Sequence, residues 1–351
     1  MARKRHPADS SDQDLSLAAR AAWLSFVGGL TQGEIATRLG LSAAKAHRLI
    51  ALAQQRGLVK VFVEGVPDGC LALEDRLAAH FGLESCAVAP NVDPAGETRG
   101  PFAAVGSAGA RFLYRRLEEA GPALVGVGKG RTLSAAVAQM PTLKRPDLKF
   151  VSVSGSLTRK LAANPFDVVH GLVAKTGGEG YFLPVPYLAG SVEEKEVLLE
   201  QKSVRDLLAL AREAELYVVG VGAHSADAHV RATGMVSESE WAELTRLGAV
   251  GDLMGSFLDR DGKPVDAAAN RQAVGLAIAD LKGRRVAALA GGAEKGPAIL
   301  AALRTGVITD LVVDEDAARR AVELLDGAKT RPRKDSGHES PPRRVKQTAA
   351  E

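Results

Sequence analysis

The chain has 351 residues, of which 46% are hydrophobic and 25% charged, and its formal net charge at pH 7 is only +3. This length predicts two or three domains, and the composition is that of a globular protein rather than a disordered one. Because the net charge is small, only a local cluster of basic residues could indicate a nucleic-acid-binding surface. The sequence contains no apolar run of the ~18 residues that a membrane span needs.

The cysteines and the first residues indicate the compartment. Cys70 and Cys86 lack metal-ligand spacing, and so few thiols in a chain of this size suit a reducing environment. The opening residues, MARKRHPADSSDQD, are polar and lack the apolar segment of a secretory signal peptide. We therefore expect a cytoplasmic protein that uses no metal ion and no other cofactor.

Changes of pattern divide the chain into four segments. Residues 1–13 are charged and turn-rich, which predicts a flexible N-terminus, whereas residues 14–66 have helical periodicity and close with a strand-like alternation. Over residues 67–327, short apolar strands alternate with amphipathic helices, which predicts an α/β fold with a parallel sheet buried on both faces. Residues 328–351 are Pro-rich and basic, and we expect a disordered tail.

The second segment predicts three helices. The first spans the stretch RAAWLSFVG and buries Trp23, Leu24 and Val27. Thr31 begins the second with a capping box, and Ser42 caps the third after a turn of a few residues, a spacing typical of a helix-turn-helix motif. The third helix has an apolar face at helical spacing, formed by Ala46, Leu49, Ile50 and Ala53.

The opposite face of the third helix carries basic side chains beside very small ones. Such a face can lie close in a DNA major groove, with donors directed at base edges and phosphates. The stretch QQRGLVKVFV that follows predicts the hairpin of a wing. A plain three-helix bundle with solvated basic residues is the alternative. The residues that we predict to contact DNA are Thr31, Gln32, Ser42, Ala43, Ala44, Lys45, His47 and Arg48.

In the α/β segment, the stretch GVGKGRT joins an apolar strand to a helix. Glycines at such a turn let the backbone approach a ligand, and the helix N-terminus offers N–H groups to a phosphate. The spacing matches neither a P-loop nor the full dinucleotide fingerprint, and tight packing of the turn is the alternative. The ligand-binding residues predicted here are Gly128, Lys129, Gly130, Arg131 and Thr132.

Other strand ends also carry polar residues. Gly155 and Ser156 follow one strand, and Asp252 follows a glycine, where its carboxylate could accept sugar hydroxyl protons or cap a turn. Lys295 stands at a helix start, where it could meet a phosphate or only be solvated. Two histidines five residues apart lack a third metal ligand, and we assign the first, His224, to the ligand site. These strand ends predict a cleft at one sheet edge.

Five stretches together carry a family likeness: GLTQGEIATRLGLS, GVGKGRTL, SVSGSL, GAVGDLMGSFLDRDG and LAGGAEKGPAILAALRTGVITDLVVDEDAA. In these stretches the chain resembles the SorC/DeoR-type sugar-sensing bacterial transcriptional regulators. The resemblance implies a winged helix-turn-helix followed by a Rossmann-like effector domain similar to sugar-phosphate isomerases. It also implies a homodimer or homotetramer bound to operator double-stranded DNA.

The resemblance also implies roles for individual residues. The chain departs from the family pattern at Lys129, where a large apolar or aromatic residue is common, and at Ala43 and Ala44, where the recognition helix often carries Arg or a hydroxyl residue. At matching positions, the resemblance implies a first phosphate-side loop formed by Gly128, Gly130, Arg131 and Thr132, and a second loop formed by Gly155 and Ser156. It also implies that Asp252 meets the sugar hydroxyls and that Lys295 meets the ligand.

The sequence thus predicts a DNA-binding regulator, a repressor or an activator, of a carbohydrate catabolic operon. Its effector would be a sugar, a sugar phosphate or a sugar alcohol, and we expect no catalysis. The alternative is a sugar-phosphate isomerase or deaminase with an added DNA-binding head, for which Asp252 and His224 are the only acid–base pair that the sequence offers. An oligomerisation module with an unused pocket is the third hypothesis.

Overall fold

The computed structural model describes the chain in six stretches: residues 7–59, 65–92, 102–119, 123–155, 157 and 168–329. Part of the predicted wing hairpin (residues 60–64) and the predicted tail from residue 330 onward lie outside these stretches, so both stay predictions. None of the described helices combines the length and apolarity needed to cross a lipid bilayer.

The described residues form fourteen α-helices and nine β-strands. The helices are α1 Pro7–Ala22, α2 Gln32–Leu39, α3 Ala43–Gln55, α4 Asp68–Phe81, α5 Ala103–Glu118, α6 Arg131–Gln139, α7 Val169–Thr176, α8 Val192–Glu200, α9 Lys202–Arg212, α10 His229–Ala232, α11 Glu238–Arg246, α12 Ala268–Gln272, α13 Gly296–Arg304 and α14 Glu315–Lys329. The strands are β1 Ser85–Ala89, β2 Leu124–Val127, β3 Lys149–Ser152, β4 Glu179–Tyr181, β5 Leu216–Ala223, β6 Gly251–Leu253, β7 Ser256–Leu258, β8 Arg285–Ala290 and β9 Asp310–Asp314.

Helices α2 and α3 begin at the caps that the sequence predicts. The Thr31 hydroxyl accepts a hydrogen bond from the backbone N–H of Glu34, whose carboxylate accepts one from the backbone N–H of Thr31. Ser42 accepts one from the backbone N–H of Lys45, and Gly40 ends α2 with a φ of 65°. The first three helices pack around a small core of Ala18, Ala21, Ala22, Ile35, Ala36, Ala46, Leu49 and Ala53.

The prediction for the first helix is wrong in two respects. Trp23 and Val27 are not buried but 67% and 69% exposed, because the chain leaves α-helical geometry and forms a π-helical turn, Trp23–Val27. Only Leu24 of the three packs against the core. In addition, α1 begins at Pro7, within the segment predicted to be flexible, since proline suits the first turn of a helix.

The sheet confirms the predicted α/β fold with parallel strands. Seven parallel strands lie in the order β1-β9-β8-β5-β2-β3-β4, and the antiparallel pair β6 and β7 extends the end of β5. From β2 the chain moves outward through β3 and β4 and then returns to place β5 on the other side of β2. The strand order therefore reverses between β2 and β5, which is where open α/β sheets bind ligands.

Helices cover both faces of the sheet. One large core packs α4, α9, α13 and α14 against the strands, and a second packs α5, α6 and α7. A third, separate cluster lies beside the end of β5, and we call it the satellite core: Tyr187, Leu188, Ala228, Met235, Val236, Trp241, Leu244, Ala249, Phe257, Val265, Ala267 and Ala269.

A buried carboxylate joins the amino ends of three strands. This end of the sheet is opposite to the carboxyl ends of the strands, where the strand order reverses. Asp310 is fully buried and accepts hydrogen bonds from Arg285 Nε at 3.1 Å and Nη2 at 3.0 Å. The hydroxyls of Ser85 and Thr309 donate to it at 2.6 and 2.8 Å. Burial raises the pKa of Asp310, but these hydrogen bonds outweigh burial and hold the pKa below its ordinary value.

We expect Asp310→Asn to lower the free energy of unfolding by about 2–3 kcal/mol, because the amide leaves Arg285 without its buried counter-charge. The matched control is Asp326→Asn, whose half-exposed carboxylate pairs with Arg76 at 2.7 Å, and whose loss should cost less than about 1 kcal/mol. Urea unfolding followed by circular dichroism measures both. Equal losses in the two variants would contradict the role of the buried cluster.

Candidate functional site

A cleft opens at the carboxyl ends of β2 and β5, where the strand order reverses. The space between its walls, counted together with the open solvent at its mouth, is about 810 Å³. Its walls come from the β2–α6 turn, the end of β5, the β6–β7 hairpin, α10 and the turn before α13. The strand-end cleft that the sequence predicts is therefore present.

The N-terminus of α6 forms one wall of the cleft. Gly130, with a φ of 136°, precedes the first helical residue and offers no side-chain oxygen to cap the N–H groups of the first turn. Arg131 and the buried Thr132 follow it, and all three residues line the cleft. At Gly128, an added Cβ would lie 3.2 Å from the Val219 Cα, so glycine lets the turn pack against β5. An uncapped helix N-terminus of this kind attracts anions.

Lys295 is a buried cation in the same wall. The residue is only 7% exposed, and its Nζ lies 3.5 Å from the Thr132 hydroxyl. Burial, and to a lesser degree the positive charge of Arg131, lowers the pKa of Lys295 to about 8. Within the part of the chain that the structure describes, neither Lys295 nor Arg131 forms an ion pair; both approach the ring of Phe102, at 5.7 and 5.2 Å from its centroid. The wall therefore holds two positive charges that an anionic ligand could balance.

Asp252 supplies a buried carboxylate to the facing wall. It lies in β6 rather than in a turn, and its Oδ2 accepts a hydrogen bond from the Tyr187 hydroxyl at 2.6 Å. Burial, followed by the charge of Asp252, raises the pKa of Tyr187 and keeps its hydroxyl a donor. At Gly222, on the neighbouring strand, a Cβ would lie 2.0 Å from Asp252 Oδ1, so only glycine leaves room for the carboxylate. Asp252 lines the cleft, and both hydrogen bonds that it accepts among the described residues, from Tyr187 and from the backbone N–H of Gly255, fall on Oδ2.

Lys129 connects opposite sides of the cleft. Its Nζ donates to the Gly155 carbonyl at 2.8 Å and lies 3.3 Å from the centre of the Tyr187 ring. A Cβ on Gly155 would lie 2.1 Å from the Pro186 carbonyl oxygen, so this glycine packs against backbone and contributes its carbonyl to Lys129. Ser156, its predicted neighbour in the site, lies outside the described residues.

The histidine that lines the cleft is not the predicted one. His229 lines the cleft, whereas His224 does not. The Nε2 of His224 lies 2.8 Å from the Thr245 hydroxyl, and its ring stacks on Trp241 with centroids 3.8 Å apart. The assignment of His224 to the ligand site was therefore wrong, because the side chain turns towards α11 where β5 ends. Burial, then the charges of nearby basic residues, lowers the pKa of His229 to about 4, so it is uncharged at neutral pH.

Helices α2 and α3 bring the predicted DNA-contacting residues together on one surface. The Nε2 of Gln32 and the Nδ1 of His47 lie 3.1 Å apart, and this hydrogen bond joins the two helices. The buried face of α3 is the predicted one, which leaves the basic face outward. The exposed residues of this surface are Thr31, Gln32, Ser42, Ala43, Ala44, Lys45, His47 and Arg48.

A sheet with a reversed strand order and a strand-end cleft lined by Lys295, Arg131 and Asp252 is typical of a small-molecule-binding α/β domain. Residues 67–323 match the family model described as "Putative sugar-binding domain", and the chain belongs to this family. The resemblance to the SorC/DeoR-type regulators is thereby confirmed, and the chain is a transcriptional regulator of the sugar-binding type.

Named relatives cover almost the whole chain. The erythritol catabolism regulatory protein EryD of Brucella abortus is 43% identical over 317 residues, which cover 90% of this chain and 99% of that protein. The transcriptional regulator LsrR of Klebsiella pneumoniae is 33% identical over 313 residues, covering 88% and 93%. The full-length sorbitol operon regulator SorC of Klebsiella pneumoniae has the same fold, with a TM-score of 0.64 at 24% identity over 89% of this chain and 99% of that one.

We expect Tyr187→Phe to lower the free energy of unfolding by about 1–3 kcal/mol, because it leaves the buried Asp252 carboxylate without its closest donor. The control is Tyr181→Phe, which removes a surface hydroxyl that donates to Glu179 at 2.6 Å and should cause no measurable change. Denaturant titration of both variants compares how much each hydroxyl contributes to the free energy of unfolding. If Tyr187→Phe were as stable as Tyr181→Phe, the proposed support of Asp252 would be wrong.

Proposed function

We propose that the cleft binds a phosphorylated short-chain polyol or sugar, and that this ligand controls operator binding by the N-terminal helices. The observation that supports this most is the pair of cations, Lys295 and Arg131, beside the uncapped start of α6. A phosphate monoester would supply the missing negative charge and accept hydrogen bonds from the first N–H groups of α6. Asp252, in the facing wall, would accept hydroxyl protons from the carbon chain.

The carbon chain that we propose has about four carbons. The relative named for erythritol catabolism is 43% identical to this chain, and erythritol is a four-carbon polyol. The neutral His229 and the polar wall at Asp252 suit hydroxyl groups rather than a second charged group. Erythritol 4-phosphate is therefore the first ligand to test, with erythritol itself as the comparison.

For the N-terminal segment we propose a winged helix-turn-helix over residues 14–66, with α3 as the recognition helix. Its small residues, Ala43 and Ala44, would let the helix approach the base edges, while Lys45 and Arg48 would donate to bases or phosphates. The hydrogen bond between Gln32 and His47 supports a fixed orientation of the two helices. Since a regulator of this kind acts on the chromosome, we propose a cytoplasmic location.

We propose that the chain senses its ligand without transforming it. A sugar isomerisation or deamination needs a general base positioned beside the substrate. The two members of the pair that the sequence offers have other partners: His224 stacks on Trp241 and does not line the cleft, while Asp252 accepts a hydrogen bond from Tyr187. The α/β domain, proposed to begin at residue 67, then serves for ligand binding and for assembly into a homodimer or homotetramer.

Control of DNA binding would follow from subunit geometry. Two recognition helices must reach operator half-sites with a fixed spacing. A small rotation between subunits therefore moves the helices out of alignment with their half-sites. The ligand can drive such a rotation only if it binds one arrangement more tightly than the other. A repressor released by its ligand and an activator engaged by it both satisfy this requirement.

Ligand affinity should depend on pH through Lys295. Because its pKa is about 8 in the free protein, the side chain is mostly charged at pH 7 and mostly neutral at pH 9. The affinity for erythritol 4-phosphate should therefore fall about tenfold over this range, provided that the bound phosphate keeps the lysine charged. Isothermal titration calorimetry at several pH values measures the change.

Two variants complete this test. Lys295→Met should bind weakly with no comparable pH dependence, whereas Lys149→Met, at the exposed amino end of β3, should behave as the unmodified chain. A pH dependence that survives in Lys295→Met would assign the titration to another group.

The DNA surface is tested by Arg48→Ala. We expect it to weaken binding to the promoter DNA of the regulated operon at least about tenfold, because a base or phosphate contact of Arg48 is lost. Arg205→Ala is the control, since it removes the same charge from an exposed position of helix α9. Gel-shift titration at fixed salt compares the variants, and calorimetry should show unchanged ligand binding in both. Equal DNA affinity of the two variants would refute the assignment of α3.

A further inference from the structure

Lys129 occupies space between the sheet and the satellite core. Its backbone belongs to the β2–α6 turn, yet its ammonium group reaches the Gly155 carbonyl at 2.8 Å and the face of the Tyr187 ring at 3.3 Å. The Met235 Sδ lies 3.9 Å from the same Nζ. Both Tyr187 and Met235 belong to the satellite core. The side chain thus lines the cleft and crosses from the β2–α6 turn to the satellite core.

The contacts of Lys129 hold it firmly in this position. A cation over an aromatic face and a charge-assisted hydrogen bond both gain strength where water is partly excluded. The aromatic platform is itself fixed, because the Tyr187 hydroxyl donates to Asp252 at 2.6 Å. A ligand that displaced Lys129 would have to offset the loss of its contacts with the Gly155 carbonyl, the Tyr187 ring and the Met235 sulfur.

Lys295 and Asp252, which would hold the phosphate and the hydroxyls, line the same cleft, and Lys129 lines it too. A short polyol phosphate would reach from Lys295 to Asp252. Further carbons would have to pass the side chain of Lys129.

We propose that Lys129 is a specificity-determining residue that limits the ligand to about four carbons by filling the remainder of the cleft. This inference rests on the proposed function, which places the phosphate at α6. Truncation to alanine removes the side chain beyond Cβ and leaves room for roughly two more CHOH units. Methionine has a similar length and volume without the charge, so it separates the effect of size from that of charge.

The experiment measures the affinities of erythritol 4-phosphate, ribitol 5-phosphate and sorbitol 6-phosphate by calorimetry for the unmodified chain, Lys129→Ala and Lys129→Met. The unmodified chain should bind the four-carbon ligand about tenfold or more tightly than the six-carbon one. Lys129→Ala should lose most of this preference through a gain for sorbitol 6-phosphate, whereas Lys129→Met should keep it. Thermal unfolding and gel shifts without ligand verify that the variants fold.

The outcomes separate this inference from the proposed function. If the unmodified chain binds all three polyol phosphates equally, or if Lys129→Ala keeps the four-carbon preference, the role of Lys129 is wrong while the phosphate site stands. If Lys129→Met loses the preference as Lys129→Ala does, charge rather than size selects the ligand, and the inference is again wrong. If the unmodified chain binds none of them, the proposed function fails, and the inference with it.

Discussion

The proposed ligand site is organised around a buried ammonium group that forms no ion pair within the described residues, although the carboxylates of Glu294, Asp314 and Asp252 act on it at longer range. Lys295 stands at the start of α13, 7% exposed, next to a second cation, Arg131, and beside the uncapped start of α6. Burying a charge without a partner is costly, and its lowered pKa is the measure of that cost. An anion that entered the cleft would remove this penalty, which is why we propose a ligand that carries a phosphate.

The fold fixes Lys295 through the turn that precedes it. Gly292, with a φ of 106°, donates its backbone N–H to Asp314 at 2.6 Å, and Asp314 also accepts the N–H of Ala317 at 2.8 Å. This carboxylate, at the end of β9, therefore joins the β8–α13 turn to the first turn of α14. Asp310, at the beginning of the same strand, connects the opposite edge of the sheet. Strand β9 thus carries one buried carboxylate that supports the ligand site and another that stabilises the sheet.

Much of this organisation could be predicted from the sequence, because it depends on local signals. The capping box at Thr31, the cap at Ser42 and the glycine turn before Arg131 each involve residues close together in the chain. The parallel sheet follows from apolar strands that alternate with helices, and the strand-end rule then brings Lys295 to the cleft. Asp252 reaches the same cleft through the antiparallel pairing of β6 with the end of β5.

The errors and omissions involve contacts between distant segments. Tyr187 lies in an irregular stretch between β4 and α8, and only the fold brings its hydroxyl to Asp252, 65 residues away. His224 and His229 follow the same strand, and the sequence does not show which of them turns towards Trp241 and which lines the cleft. Trp23 was expected in the core, since its spacing suits an α-helix, but a π-helical turn changes that spacing.

The central claim is that a phosphate group occupies the wall formed by α6 and Lys295. A crystal structure of the full chain with erythritol 4-phosphate tests this most directly. We expect the phosphorus atom to lie within about 4 Å of the Lys295 Nζ and of the first N–H groups of α6, with a hydroxyl against Asp252. A ligand bound with its phosphate directed to solvent, or bound elsewhere on the domain, would contradict it.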